Sequence, residues 1–418
     1  MLKRWTTALR GALALVIAGL ATTAAQAQPF TFTQGNIIVQ RMNGDANFGA
    51  GAGALSSAAT AIFLDQFLPS TASQIAPVNT AGANLSIALP TTVGSLAVTG
   101  SGTASAEGFF SRTADGLGLI VGGYNAAPGT ASITGSSPAT INRAFAIITD
   151  SAMVTTNGFN DQSSVAIRSV AAATPTSSIF AGMAGSGTNI GINVTPNTGT
   201  VSASTAVTIG NMRVTNIYNN TLFVTSGSVT PGVGVTMVGT QGNLPTGSEG
   251  TTLLPGTGTS GVGTASPYGF FLTNSTTNPN NWNGTGLDTL YISDDRSAAN
   301  GGGIQRWSFD GTTWTSSGTI TLGTVGTRGL TASYDAGTNS TTLWATTAST
   351  SANSLVMVTD DLNTNTFGTM ITLATAPVNT VFRGVSLAPV PEPATVLGIA
   401  AGAFGVGGLI RRKFRKTA

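Results

Sequence analysis

The chain has 418 residues, of which 41% are hydrophobic and only 8% charged, with a formal net charge of +2. It contains no cysteine and no histidine. That excludes disulfide cross-links, a serine–histidine nucleophile and imidazole ligation of zinc. Eight of the 17 basic residues lie in the two ends; residues 28–389 hold nine arginines and no lysine against 14 acids, a formal charge of −5. A nucleic-acid partner is therefore not expected, because the basic footprint it requires is missing.

Residues 1–10 carry Lys3, Arg4 and Arg10 and no acid, and an apolar run follows to about Leu20. Ala25 and Ala27 place small residues at the two positions read by a signal peptidase. Residues 1–27 are expected to be a secretory signal peptide, too short in its apolar part to span a bilayer well.

Residues 28–389 are too many for a single ordinary core and call for a repeat architecture. One pattern recurs: a small or polar residue followed by a short apolar run. It stands at Asn36-Ile37-Ile38-Val39, Gly118-Leu119-Ile120-Val121, Ser178-Ile179-Phe180-Ala181, Thr221-Leu222-Phe223-Val224, Thr289-Leu290-Tyr291-Ile292 and Thr342-Leu343-Trp344-Ala345. Such runs between Gly-, Asn- and Thr-rich turns read as buried strands. A second pattern starts at Glu107, Arg168, Arg213, Tyr268, Arg328 and Arg383, and four of these residues are followed by glycine. Its starts are 61, 45, 55, 60 and 55 residues apart, which is the period of multi-stranded blades.

Later strands fill each unit. Gly303 to Phe309 alternates and ends in the turn Asp310-Gly311, Leu355-Val356-Met357-Val358 matches it, and Thr319-Ile320-Thr321-Leu322 parallels Met370-Ile371-Thr372-Leu373. The first unit lacks the second pattern, and the last copy of that pattern has nothing after it. The two ends should therefore complete one blade, removing the free edges a radial sheet must protect. The expected fold is all-β: a six-bladed β-propeller over residues 28–389, with long stretches such as 40–60 and 123–140 as surface loops. It resembles propellers in pattern alone; neither a tryptophan–aspartate repeat nor a kelch diglycine set is present.

Arg168, Arg213, Arg328 and Arg383 share one phase of the repeat, on the strand that should line the channel. They are candidates for an anion-binding ring, or for ties between blades. Asp294-Asp295 and Asp360-Asp361 suggest either calcium ligands or turn caps. No phosphate loop or catalytic carboxylate pair is isolated by the sequence. No cofactor and no metal site is expected.

The last 29 residues run Val390-Pro391-Glu392-Pro393, then an uncharged stretch over 394–410, then Arg411, Arg412, Lys413, Arg415 and Lys416. The apolar stretch is expected to span a membrane, with its basic end on the cytoplasmic side. Pro391, Glu392 and Pro393, the apolar helix and the basic end together resemble the PEP-CTERM sorting tail of certain Gram-negative bacteria. The resemblance implies recognition by export machinery and an exosortase-like protease, a place in the cell envelope, on the cell surface or in the extracellular matrix, and an association with exopolysaccharide and biofilm. On this reading the body is a non-catalytic binding or structural module. The alternatives are a polysaccharide-processing propeller enzyme and a calcium-dependent adhesin.

Overall fold

The apolar runs form strands because both of their faces are covered. In the computed structural model, which describes residues 30–390 apart from 80–83, 153, 161–164 and 186–189, each run is the second strand of a four-stranded antiparallel sheet. Six sheets built on this plan surround an axis, two of them with a fifth strand. Blade 1 comprises Val381–Leu387, Ile37–Met42, Ile62–Phe67 and Ser86–Ala88, from the axis outward. Blade 2 has Ser111–Arg112, Gly118–Tyr124, Arg143–Thr149 and Val154–Phe159, with Val201–Ser202 added in parallel at its rim. The inner strands of blades 3 to 6 are Val165–Ala172, Met212–Tyr218, Pro267–Thr273 and Thr327–Asp335. Their second strands are Ile179–Gly185, Thr221–Ser226, Thr289–Asp294 and Ser340–Thr347.

Successive residues of a strand point to opposite faces, and every blade face meets a neighbour. Leu290 and Ile292 pack with Val214 and Phe223 of blade 4, whereas Tyr291 between them packs with Leu343 and Ala345 of blade 6. Ile38 faces blade 2, while Ile37 and Val39 face blade 6. Among the described residues there is accordingly no single central core. Six separate apolar clusters fill the six blade-to-blade interfaces.

Closure joins the two ends of the body. Val381–Leu387 pairs with Ile37–Met42, Ile38 opposite Ser386 and Met42 opposite Val381. One blade is thus completed by segments more than 330 residues apart. The inner strands are also tied laterally, by Gly384 N to Gly108 O at 2.9 Å and Phe109 N to Arg168 O at 3.0 Å.

Two expectations need correction. The stretch 40–60 is not all loop: Gln40, Arg41 and Met42 continue the second strand of blade 1, and Ala59–Thr60 pairs with Gly100–Ser101. Likewise Gly123 and Tyr124 still belong to a strand, and Ile133–Gly135 is a 3-10 turn. Arg41 is held there by Asp65 across the blade at 2.7 Å, both side chains buried. The signal segment, with Ala25 and Ala27, and the tail, with Pro391, Glu392, Pro393, the stretch 394–410 and the basic end, lie outside the described residues. Among the described residues no helix is long and apolar enough to cross a membrane.

Candidate anion site at the channel mouth

In five of its six copies the repeat marks a β-bulge, whether or not a glycine follows its first residue. In blades 1, 3, 4, 5 and 6 the pairing of inner with second strand slips at one place, which spans Arg383, Arg168, Arg213, Tyr268 and Arg328. A bulge takes a residue out of the ladder and re-aims its side chain. The glycine that follows serves a second purpose. A Cβ on Gly329 would lie 2.5 Å from Arg383 O, and one on Gly384 would lie 2.7 Å from Gly108 O. At these positions glycine lets neighbouring inner strands touch backbone to backbone; the six residues of the repeat, four of them followed by glycine, stand around one mouth of the channel.

The four predicted arginines are brought together there, and each is anchored to a loop of a neighbouring blade. Arg168 donates through Nη1 to Asn211 Oδ1. Arg213 donates to Ser266 Oγ at 2.8 Å and Pro267 O at 3.1 Å. Arg383 donates to Gly102 O at 3.0 Å. Arg328 pairs with Asp295 at 3.0 Å and donates to Ala348 O at 2.9 Å. The Cζ atoms of Arg213 and Arg328 lie 4.4 and 5.8 Å from the centre of the Tyr268 ring, a cation–π arrangement that holds two like charges against one aromatic. Burial, then the proximity of Arg328, brings Arg383 down to about 10. Arg168 is lowered by burial and then by Arg213. Both remain cations at neutral pH.

Glu107 is the single acid among the six repeat positions. It is buried, and Tyr124 donates to its Oε1 at 2.7 Å. Burial dominates its surroundings and pushes its carboxyl up to about 7, against the opposing effect of the hydrogen bonds and of Arg383 and Arg143. The floor of the mouth is aromatic. Phe109 and Tyr268, from opposite blades, meet across the axis with ring centres 5.4 Å apart, and both are buried. Beyond Phe109 the channel widens into a cavity of about 210 Å³ open toward the other face, lined by Phe110, Arg112, Asn216, Phe271, Thr331 and Val385 among others.

The aspartate pairs are already engaged, Asp295 with Arg328 at the mouth and the other three with other partners. Asp294 accepts from Arg296 at 2.9 Å, and Asp360 from Arg306 and Tyr291 at 2.7 and 2.8 Å. Asp361 caps a turn through the backbone N–H of Asn363. Among the described residues no group of three or more acids is placed to hold a metal. Tyr124, Gln40 and Arg143, which surround Glu107, were not singled out by the sequence. They come from other strands and belong to no repeat.

No family model and no curated protein matches the chain. Similar solved structures span most of it at low identity. A protein from Lactobacillus plantarum is 9% identical over 84% of this chain and 99% of its own, with a TM-score of 0.43. A Synechocystis ACO mutant is 8% identical over 87% and 94%, with a TM-score of 0.41. The parainfluenza virus 5 hemagglutinin-neuraminidase soaked with the ligand DANA is 10% identical over 86% and 92%, with a TM-score of 0.38. Likeness at this level carries no statement about ligand or activity.

Proposed function

We propose that this chain is an exported envelope or matrix protein sorted through its C-terminal tail, whose propeller is a non-catalytic binding or structural module among exopolysaccharide. The observation that supports a binding role is the mouth itself. Four guanidinium groups and a tyrosine converge there from five blades of a body that is otherwise acidic. Forked N–H donors of this kind suit carboxylate and sulfate groups. An acidic polymer is the natural ligand on this reading, and its charge complements the mouth rather than the body as a whole.

Two measurements test it. Intact-mass analysis of protein from envelope and medium should show a species shortened after the 391–393 region; a full-length tail confined to the membrane would reduce the tail to an anchor. Co-sedimentation of the protein should be stronger with an acidic exopolysaccharide than with a neutral one. Equal association, or release of reducing sugar from either polymer, would overturn charge recognition or the non-catalytic role respectively.

A further inference from the structure

The charges at the mouth do not balance. Among the described residues there are four ion pairs: Arg41 with Asp65, Arg296 with Asp294, Arg306 with Asp360, and Arg328 with Asp295. Arg168, Arg213 and Arg383 have no carboxylate, and all three stand at the mouth. Their anchors are neutral: an amide, a hydroxyl and carbonyls. A guanidinium withdrawn from water without a counter-charge is costly. Among the described residues each also keeps a terminal nitrogen without a protein acceptor, Nη2 of Arg168 and Arg213 and Nη1 of Arg383, and the Tyr268 hydroxyl has no partner there. Arg213 and Arg328 flank the Tyr268 ring, Arg168 lies within electrostatic reach of Arg213 and Tyr268, and Arg383 within reach of Arg328 and Tyr268.

Glu107 lies within electrostatic reach of Arg383 and Arg168, with an unfilled requirement of the opposite kind. Its Oε2 is buried without a partner, and so is Oε1 of Gln40. Both residues line a cavity of about 10 Å³ that Arg383 and Tyr124 also border, room for about one water molecule. Two buried acceptors without partners, on residues that line one small cavity, are an unfavourable arrangement. A proton on Oε2 relieves it, because the carboxyl then presents a donor to the cavity that Gln40 also lines. The groups around the carboxyl are the Tyr124 hydroxyl, Thr134, Arg383 and Arg143, with Arg168 also within electrostatic reach. The value of about 7 set by burial agrees with this.

Resting on the binding role proposed above, we infer that the mouth is a proton-linked site for the sulfate or carboxylate group of an acidic sugar, with Glu107 as the group that carries the proton. When Glu107 is neutral, three guanidinium charges are uncompensated; when it ionises, one of them is cancelled. An anion against Arg383 opposes ionisation of Glu107, and by reciprocity protonation of Glu107 tightens the anion.

The test is calorimetric titration of the full chain in detergent with inorganic sulfate, and with a uronic-acid oligosaccharide, at constant ionic strength. Sulfate stays a dianion and the arginines stay charged at both about pH 5.5 and about pH 8.5, so only Glu107 changes state among the groups at the mouth. Sulfate should bind at least about fivefold more tightly at the lower pH, the low end of usual coupling, with proton uptake on binding near pH 7. Glu107→Gln should remove the pH dependence and hold the tighter affinity throughout. Arg213→Gln should weaken binding about tenfold at both values, the loss of one charge-assisted hydrogen bond. The oligosaccharide should bind more tightly than free sulfate; equal affinity would overturn the polymer-borne occupant. Absence of binding by either probe at any pH would overturn the mouth as a site and the proposed binding role with it. Binding that is equal at both pH values, or that stays pH-dependent in Glu107→Gln, would overturn the proton linkage alone. Infrared difference spectra between wild type and Glu107→Gln near pH 6 should contain the carbonyl stretch of a protonated acid, and its absence would remove the neutral Glu107 whatever the binding data show.

Discussion

A single buried carboxyl gives the fold a measurable pH signature. Glu107 has an ordinary value of 4.5 and is pushed up to about 7 in the folded protein. The folded state therefore binds the proton more strongly than the unfolded chain. Its contribution is fully present below about pH 4.5, falls as the pH rises toward 7, and is gone above that, a difference of roughly 3 kcal/mol. Denaturant midpoints of Glu107→Gln and wild type should diverge over that window, with the variant more stable at pH 8; parallel curves would show that Glu107 is not buried as a neutral acid. The glycines of the repeat act at the same scale. Gly329→Ala places a methyl 2.5 Å from Arg383 O and 2.7 Å from Thr346 Oγ1, so inner strands of blades 6 and 1 must separate. A loss of about 1–3 kcal/mol is expected, read as a lower urea midpoint at unchanged slope. An unchanged midpoint would mean that the close strand approach carries no stability.

At the scale of strands, legibility followed burial. The six second strands stood out because both faces are covered, so no polar residue interrupts Leu290-Tyr291-Ile292 or its counterparts. The outermost strands were harder to read. Trp314–Ile320 is exposed or half-buried after Trp314, and it begins before the Thr319-Ile320-Thr321-Leu322 stretch that the pattern suggested and ends within it. Val201–Ser202 joins blade 2 through two residues taken from the connection between the last two strands of blade 3, which no local pattern encodes. The arginine phase was legible as a repeat. Its anchors Asn211, Ser266 and Gly102 were not, because a loop acceptor has no periodicity. Nor was the Glu107 cavity, assembled from Gln40 of blade 1 and Tyr124 of blade 2. Ties between blades can be tested through Asp360, which receives Arg306 and Tyr291 of blade 5 on a strand of blade 6. Asp360→Ala strands a buried guanidinium and should cost about 3–5 kcal/mol. Pairing Asp360→Leu with Arg306→Met should restore much of that loss. A single variant as stable as wild type would show that the pair does not hold the two blades.

For the whole molecule, the absence of a single central core among the described residues makes closure the decisive event. Each apolar cluster is shared by two blades, so a blade with a missing neighbour exposes one complete face. Blade 1 is the place where this bears on the chain ends. Val381–Leu387 supplies its inner strand, and Phe382 and Val385 fill the interface with blade 6 while Val381 fills the one with blade 2. Without that strand, Ile37–Met42 becomes an unpaired apolar edge, which recruits other chains. Removing residues 381–390 should abolish a single cooperative unfolding transition and increase light scattering at temperatures where the longer chain is clear. The pairing, rather than the position of the chain break, is what closure demands. A permuted chain that links residue 390 to residue 30 by a short flexible segment and opens at the exposed turn 336–338 keeps every strand pair. It should unfold in one transition with a slope like that of the original, since the surface exposed on unfolding is the same. A permutant that aggregates as the truncation does would show that continuity through blade 6, and not the seam of blade 1, holds the ring together.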